Sequence, residues 1–400
     1  MTIALDRPGA TTADRELRAD VVGRITKLLP RLADQAERSD RERSVPAENI
    51  EALAEAGALS ILQPARYGGL QTDIRTCLEV SREVARACGS TAWTTTLLNV
   101  CSWYVGLYPA QAQKDVWADD PTARVAGVLA PTATAREVDG GFVVSGRWSP
   151  ASGQAHAQWA IVGVLRGNGP ERGMVLVPMA ELTVEDTWFV TGMRGTASNT
   201  LIADEVFVPS HRYLSSPDAA AGRYATPHTE EALYRSAFVP VSALVLAGPQ
   251  LGLAQAALDL VVRKAPNRTM TYTFYDNQAV APTTQLAVAQ AASLIDSAHL
   301  HAYRAAAEID EAAAQGIYPD YDTRARARMD TGVAAVNARE AIRILVSAHG
   351  AGSFAEVNPL QRIWRDSEAG SRHAIVNPEV STEIYGKSLL GIRGDVTDLV

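Results

Sequence analysis

Asp139-Gly140-Gly141-Phe142-Val143-Val144-Ser145-Gly146-Arg147-Trp148 is the stretch at which the chain stops reading as helix and starts reading as sheet. Asp-Gly-Gly supplies the conformational freedom of a tight hairpin turn, and the β-branched and aromatic residues after it suit a half-buried pleated surface. Residues 125–129, 159–164, 174–177 and 201–208 share that character. Five or more short strands in about a hundred residues predict a compact barrel or sandwich.

Outward from this segment the apolar period lengthens. Upstream, Leu17, Val21, Ile25, Leu28, Leu29 and Leu32 recur at mostly three- and four-residue steps, which predicts an amphipathic helix over 15–37, kinked at Pro30. Pro46 and Gly57 punctuate the next helix, Pro64 and Tyr67-Gly68-Gly69 make a turn, and further helices follow over 72–87 and from Cys88-Gly89-Ser90 through 97. Downstream of a polar stretch at 215–231, residues 241–264, 282–315 and 323–349 form long Ala-rich helices. Gly350-Ala351-Gly352 breaks the last of these, and a final helical pair covers 359–390. Long helices with short connections pack as a bundle. The expected organisation is a helical domain over 1–120, a β-domain over 121–232 and a helical bundle over 233–400.

Composition excludes several functions. A net charge of −8, with no basic run, argues against nucleic acid as the main partner. No stretch approaches the roughly 20 uninterrupted apolar residues of a membrane span. Residues 1–14 are polar and read as a disordered lead-in, not a signal peptide. Cys77, Cys88 and Cys101 lack metal-ligand spacing, and their expected state is reduced and partly buried, in a cytoplasmic protein. No G-x-G-x-x-G follows a strand, so a nicotinamide-binding unit is not expected within the chain.

Several strings then carry a resemblance. Pro64-Ala65-Arg66-Tyr67-Gly68-Gly69, Gly192-Met193-Arg194-Gly195-Thr196-Ala197-Ser198 followed by Val206-Phe207-Val208-Pro209, Ala247-Gly248-Pro249, and Trp364-Arg365-Asp366 together resemble the acyl-CoA dehydrogenase fold: N-terminal helices, a small β-barrel and a four-helix bundle. The dehydrogenases of that fold use a carboxylate base. At its two usual places this chain reads Arg372-His373 and Val241-Ser242-Ala243. Cys88-Gly89-Ser90-Thr91-Ala92-Trp93, then Gly146-Arg147-Trp148-Ser149-Pro150-Ala151-Ser152-Gly153 with His156 and Trp159, and Arg372-His373-Ala374 with Asn377 and Tyr385-Gly386 instead resemble the two-component flavin-dependent monooxygenases. Pro150 departs from the aromatic residue usual there.

The resemblance implies a reduced flavin (FADH2 or FMNH2) supplied by a separate NAD(P)H reductase. With O2 it forms a C4a-hydroperoxyflavin that hydroxylates an aromatic substrate, polycyclic or indole-like substrates included, in a homotetramer. On that basis Ser152 is expected at flavin N5/C4a and Trp148 against the flavin. Thr196 and Ser198 are expected at its phosphate or ring edge, Arg268 at phosphate, and Gly350 and Gly352 by the adenosine part at a subunit interface. His373 is the expected acid/base; Trp93, Cys101 and His156 are expected to line the substrate pocket. The competing readings are an N-oxygenase of an amine or amino sugar, and a dehydrogenase whose base has moved to Glu379 or Glu383.

Overall fold

The computed structural model describes residues 7–167 and 169–400. The lead-in expected over 1–14 falls partly on residues 1–6, outside the described residues. Helix begins earlier than the sequence implied, because Thr11 and Asp14 form a reciprocal capping box that starts α1 (Thr12–Asp34). Pro30 lies inside α1, and the break comes at Gln35, before α2 (Ala36–Glu42). Pro46 caps α3 (Ala47–Glu55), and Gly57 takes a left-handed φ of 78° just beyond it. Then come α4 (Ile74–Ala85), α5 (Gly89–Gly106) and α6 (Ala110–Trp117). All but one residue of α5 are buried, so it is a central core helix.

The β-domain consists of β1 (Val125–Val138), β2 (Gly141–Trp148), β3 (Trp159–Arg166), β4 (Arg172–Pro178), β5 (Thr183–Glu185), β6 (Thr200–Pro209) and β7 (Tyr213–Ser215). They form one seven-stranded sheet in the order β5-β6-β2-β1-β3-β4-β7, with β1 and β3 parallel and the other pairs antiparallel. One face closes over its own core of Val128, Val144, Trp148, Val162, Val175 and Leu201, while Val125, Ile161 and Leu176 join the helical core. The sheet curls where the β1–β3 register slips between Val128 and Ala133. Gly163 makes that bulge possible, since a Cβ there would stand 2.3 Å from the Leu129 carbonyl oxygen.

After α7 (Ser216–Ala220), the chain enters α8 (Phe238–Leu244), α9 (Ala247–Lys264), α10 (Pro282–Gln315), α11 (Tyr321–His349), α12 (Pro359–Gly370) and α13 (Pro378–Leu389). The stretch Phe238–Asn267 is long and apolar enough to pass for a membrane span, but 83% of its most apolar window is buried inside the protein. Helices α9, α10 and α11 pack together, with α4 laid against α9, and this joins the two helical regions through one core.

Candidate active site

The site forms where α5, the loops after β2 and before β6, and the loop after α12 converge. Met193 and Ala197 adopt left-handed φ values of 55° and 47°, bracketing a short 3-10 turn, Arg194–Thr196. Such conformations are costly for residues with a Cβ and persist where surroundings impose them. Here α12 does so. A Cβ on Gly192 would stand 2.1 Å from the Arg365 carbonyl oxygen, and the Met193 N–H donates to Asp366 Oδ1 at 2.6 Å. Burial lifts the Asp366 pKa to about 6, against the downward pull of that N–H.

The turn presents Thr196 and Ser198 to the loop after β2. Ser198 Oγ lies 2.6 Å from Thr196 Oγ1 and 2.6 Å from Ser152 Oγ, although Ser152 is 46 positions away in sequence. At one end Trp93 Nε1 donates to Ser152 Oγ at 3.3 Å. At the other, Thr196 Oγ1 donates to the Met193 carbonyl at 2.9 Å, an oxygen that also receives the Trp188 indole N–H. The result is a buried line of three hydroxyls from an indole to a main-chain carbonyl. The Ser149-Pro150 peptide just before Ser152 is cis.

His373 stands beside this line, its ring centroid 5.8 Å from that of Trp93. The imidazole is exposed on one side yet crowded by protein, and desolvation pushes its pKa below the usual value. It is therefore neutral at pH 7. The Ile375 N–H approaches Nδ1 at 3.4 Å, which favours the tautomer carrying hydrogen on Nε2. Gln250 completes the wall: its carbonyl accepts from Ser367 Oγ at 2.7 Å, while its amide nitrogen, next to Gly370, is buried without a partner. Glu379 and Glu383 sit on the exposed face of α13, where Glu383 pairs with Lys387.

Other expected site residues lie elsewhere. Trp148 has no exposed surface; its indole fills the β-domain core and donates to the Gly163 carbonyl at 2.7 Å. That corrects its placement against flavin, because no part of the ring is left to face a ligand. Cys101 is buried under Gly127 of β1, and burial pushes its thiol up to about 12, so it shapes the core and stays protonated. His156 is held on the β-domain side by Val45 and Arg124: its ring bonds the Val45 backbone, and burial depresses its pKa. Arg268 and Gly352 do meet: the guanidinium lies against Gly352 and donates at 3.0 Å to the carbonyl of His349, the residue before Gly350. They are at the far end of α9 from Gln250, roughly 20 Å along the helix at 1.5 Å per residue.

Sequence reasoning missed Asp366 and Gln250 as site residues. Asp366 stood in a quoted motif, but its partner is a main-chain N–H, which no side-chain pattern reveals.

The residues present fit a reduced flavin. Ser152 Oγ accepts the Trp93 indole N–H beside the space next to His373, and the Gln250 amide nitrogen is buried there without a partner, so the site offers polar groups for a flavin ring edge.

Comparison with known proteins agrees. Residues 12–122 match the family model described as acyl-CoA dehydrogenase, N-terminal domain, and residues 244–378 the one described as acyl-CoA dehydrogenase, C-terminal domain. The flavin-dependent monooxygenase oxygenase subunit HsaA of Mycobacterium tuberculosis is 34% identical over 93% of this chain and 95% of its own length. The FADH(2)-dependent resorcinol hydroxylase oxygenase component of a Rhizobium species is 33% identical, over 93% and 94% respectively. XiaF from a Streptomyces species, solved with FADH2 and glycerol, superposes with a TM-score of 0.92 at 36% identity, over 96% of this chain and 98% of that one. On these matches the chain belongs to the flavin-dependent monooxygenases built on the acyl-CoA dehydrogenase fold, and works with reduced flavin and O2.

Proposed function

We propose that this monooxygenase hydroxylates an aromatic ring, a phenol or a fused ring system, bound beside the Trp93–His373 pair, and that a separate NAD(P)H-dependent reductase delivers the flavin. The observation that carries the reading is the pairing of the Trp93–Ser152–Ser198–Thr196 line with a neutral imidazole. The names of the relatives, a resorcinol hydroxylase among them, support an aromatic substrate.

Bound reduced flavin supplies the electrons that activate O2. The protein's own groups do the rest. Ser152 accepts a hydrogen bond from the ring edge, and Trp93 forms an apolar wall that excludes water. His373, with hydrogen on Nε2, donates a hydrogen bond to an oxygen at the reacting centre and keeps its proton. Arg268 with Gly350 and Gly352 forms the site for the phosphate and adenosine end. Because this group lies far along α9 from Ser152, we assign it to a flavin shared with a second copy of the chain in a homotetramer. A cytoplasmic location is proposed alongside, on the three unpaired cysteines.

The test is to supply chemically reduced FAD, O2 and a panel of phenols, indoles and amines under single-turnover conditions. Hydroxylated aromatic product bears the reading out. Oxidised amine with no aromatic product replaces it with N-oxygenation.

A further inference from the structure

We propose that Thr196 and Ser198 are positioning residues that set the redox preference of the flavin site, by holding Ser152 as a hydrogen-bond acceptor that cannot donate. The inference rests on the assignment of Ser152 to the flavin ring edge made above, and follows from a count of hydrogens.

Four links join Trp93 to Met193: Trp93 Nε1 to Ser152 Oγ at 3.3 Å, Ser152 Oγ to Ser198 Oγ at 2.6 Å, Ser198 Oγ to Thr196 Oγ1 at 2.6 Å, and Thr196 Oγ1 to the Met193 carbonyl at 2.9 Å. An indole N–H only donates, and a carbonyl oxygen only accepts. Between those fixed ends stand three hydroxyls with one hydrogen each. Four hydrogens serve four links, so all four are made only when every bond points from Trp93 towards Met193. Trp93, Ser152, Thr196 and Ser198 are each at most 5% exposed, so water offers little substitute for a link left unmade.

The consequence falls on Ser152. Its hydrogen is committed to Ser198, and one lone pair holds the indole N–H. What remains is a single lone pair. Reduced flavin carries hydrogen on N5 and oxidised flavin has a bare nitrogen there. Ser152 therefore complements the reduced ring and sets lone pair against lone pair in the oxidised one.

Thr196→Val tests this without touching Ser152. Valine keeps the shape and loses the acceptor, so the Ser198 hydroxyl is free to turn and donate to Ser152. Ser152 then has both lone pairs filled and its own hydrogen released. Either direction now makes the same number of protein hydrogen bonds, and the bias disappears.

The measurement is anaerobic dissociation constants for reduced and oxidised FAD, with the midpoint potential of bound flavin. In Thr196→Val the preference for the reduced form should fall about tenfold, equivalent to a drop of about 30 mV for a two-electron couple. Ser198→Ala should lose the preference as well, and Thr196→Ser should keep it. A wild-type ratio in both Thr196→Val and Ser198→Ala, with the two affinities moving in parallel, would overturn the proposal while leaving the monooxygenase reading intact. If Ser152→Ala leaves the ratio unchanged, the placement of flavin against Ser152 fails first, and the proposal fails with it.

Discussion

Met193 is held at both of its main-chain polar groups by partners of opposite kind: its N–H donates to the Asp366 carboxylate at 2.6 Å, and its carbonyl receives the Thr196 hydroxyl at 2.9 Å. Asp366 thereby anchors the end of the hydroxyl line to α12, the helix whose following loop carries His373. One carboxylate thus fixes the turn that aims Thr196 and Ser198.

Asp366→Asn should expose the cost of that anchor. Burial raises the folded pKa to about 6 from an ordinary value of 3.8. A carboxyl with a raised folded pKa contributes stability that is fully present below 3.8 and lost as pH rises through about 6. Asparagine keeps an acceptor for the Met193 N–H and cannot ionise. Relative to wild type, the variant should therefore gain stability between pH 4 and pH 7, by at most about 3 kcal/mol at 1.36 kcal/mol per pKa unit. Denaturant unfolding at pH 4.5 and pH 7 measures this, and a pH-independent difference would place Asp366 outside the titration.

His373→Ala should separate flavin handling from substrate chemistry. Removing a positioned acid/base group costs about 10²–10⁴-fold. The hydroxylation rate should fall by that order, so product per flavin oxidised should drop while hydrogen peroxide rises, with reduced-flavin affinity nearly unchanged because Ser152 and Arg268 remain. In the wild type, the depressed pKa of His373 keeps the ring neutral at pH 7, so coupling should stay flat down to about pH 6.5 and fall only under further acidification. Wild-type coupling in the variant would reduce His373 to a packing residue.

Ser152→Ala should fail differently. Its peroxide release should rise even without substrate, because the ring-edge acceptor is gone. Stopped-flow peroxide yields with and without a phenol distinguish the two variants; equal behaviour would merge their roles.

Purified chain mixed with NADH and FAD should oxidise NADH no faster than free flavin, and adding any flavin reductase should restore turnover. Enzymatic NADH oxidation by the chain alone would count against a separate reductase.

Tyr272 and Phe274 project fully into solvent from the segment between α9 and α10, an arrangement that invites cover by another copy of the chain. Tyr272→Ser with Phe274→Ser should shift sedimentation towards smaller species and weaken flavin binding at the Arg268 group. An unchanged assembly would move the contact to Phe354 and Val357, which are also exposed.

The helices and strands were legible because period and punctuation agree along the chain: Pro282 opens α10, and Gly316 closes it with a left-handed φ of 70°. The hydroxyls of Ser152, Thr196 and Ser198 were legible as motif members, but not as a line. Their meeting depends on β2 pairing with β6, which brings positions 46 apart into contact. Trp148 was misplaced although a signal existed. Phe142, Val144 and Trp148 share one parity along β2, and parity assigns all three to the sheet's own core. Asp366 gave no such signal.

The two ends of the hydroxyl line differ in how easily mutation can remove them. The Met193 end is a main-chain oxygen that any amino acid at position 193 would provide, so drift there spares the acceptor as long as the turn survives. The Trp93 end is a side chain, yet its loss would still leave three hydroxyls aimed at the same carbonyl. Position 93 can therefore vary in size and shape to admit a different ring, in nature or in a designed library, while the direction of the hydrogens behind it is inherited unchanged.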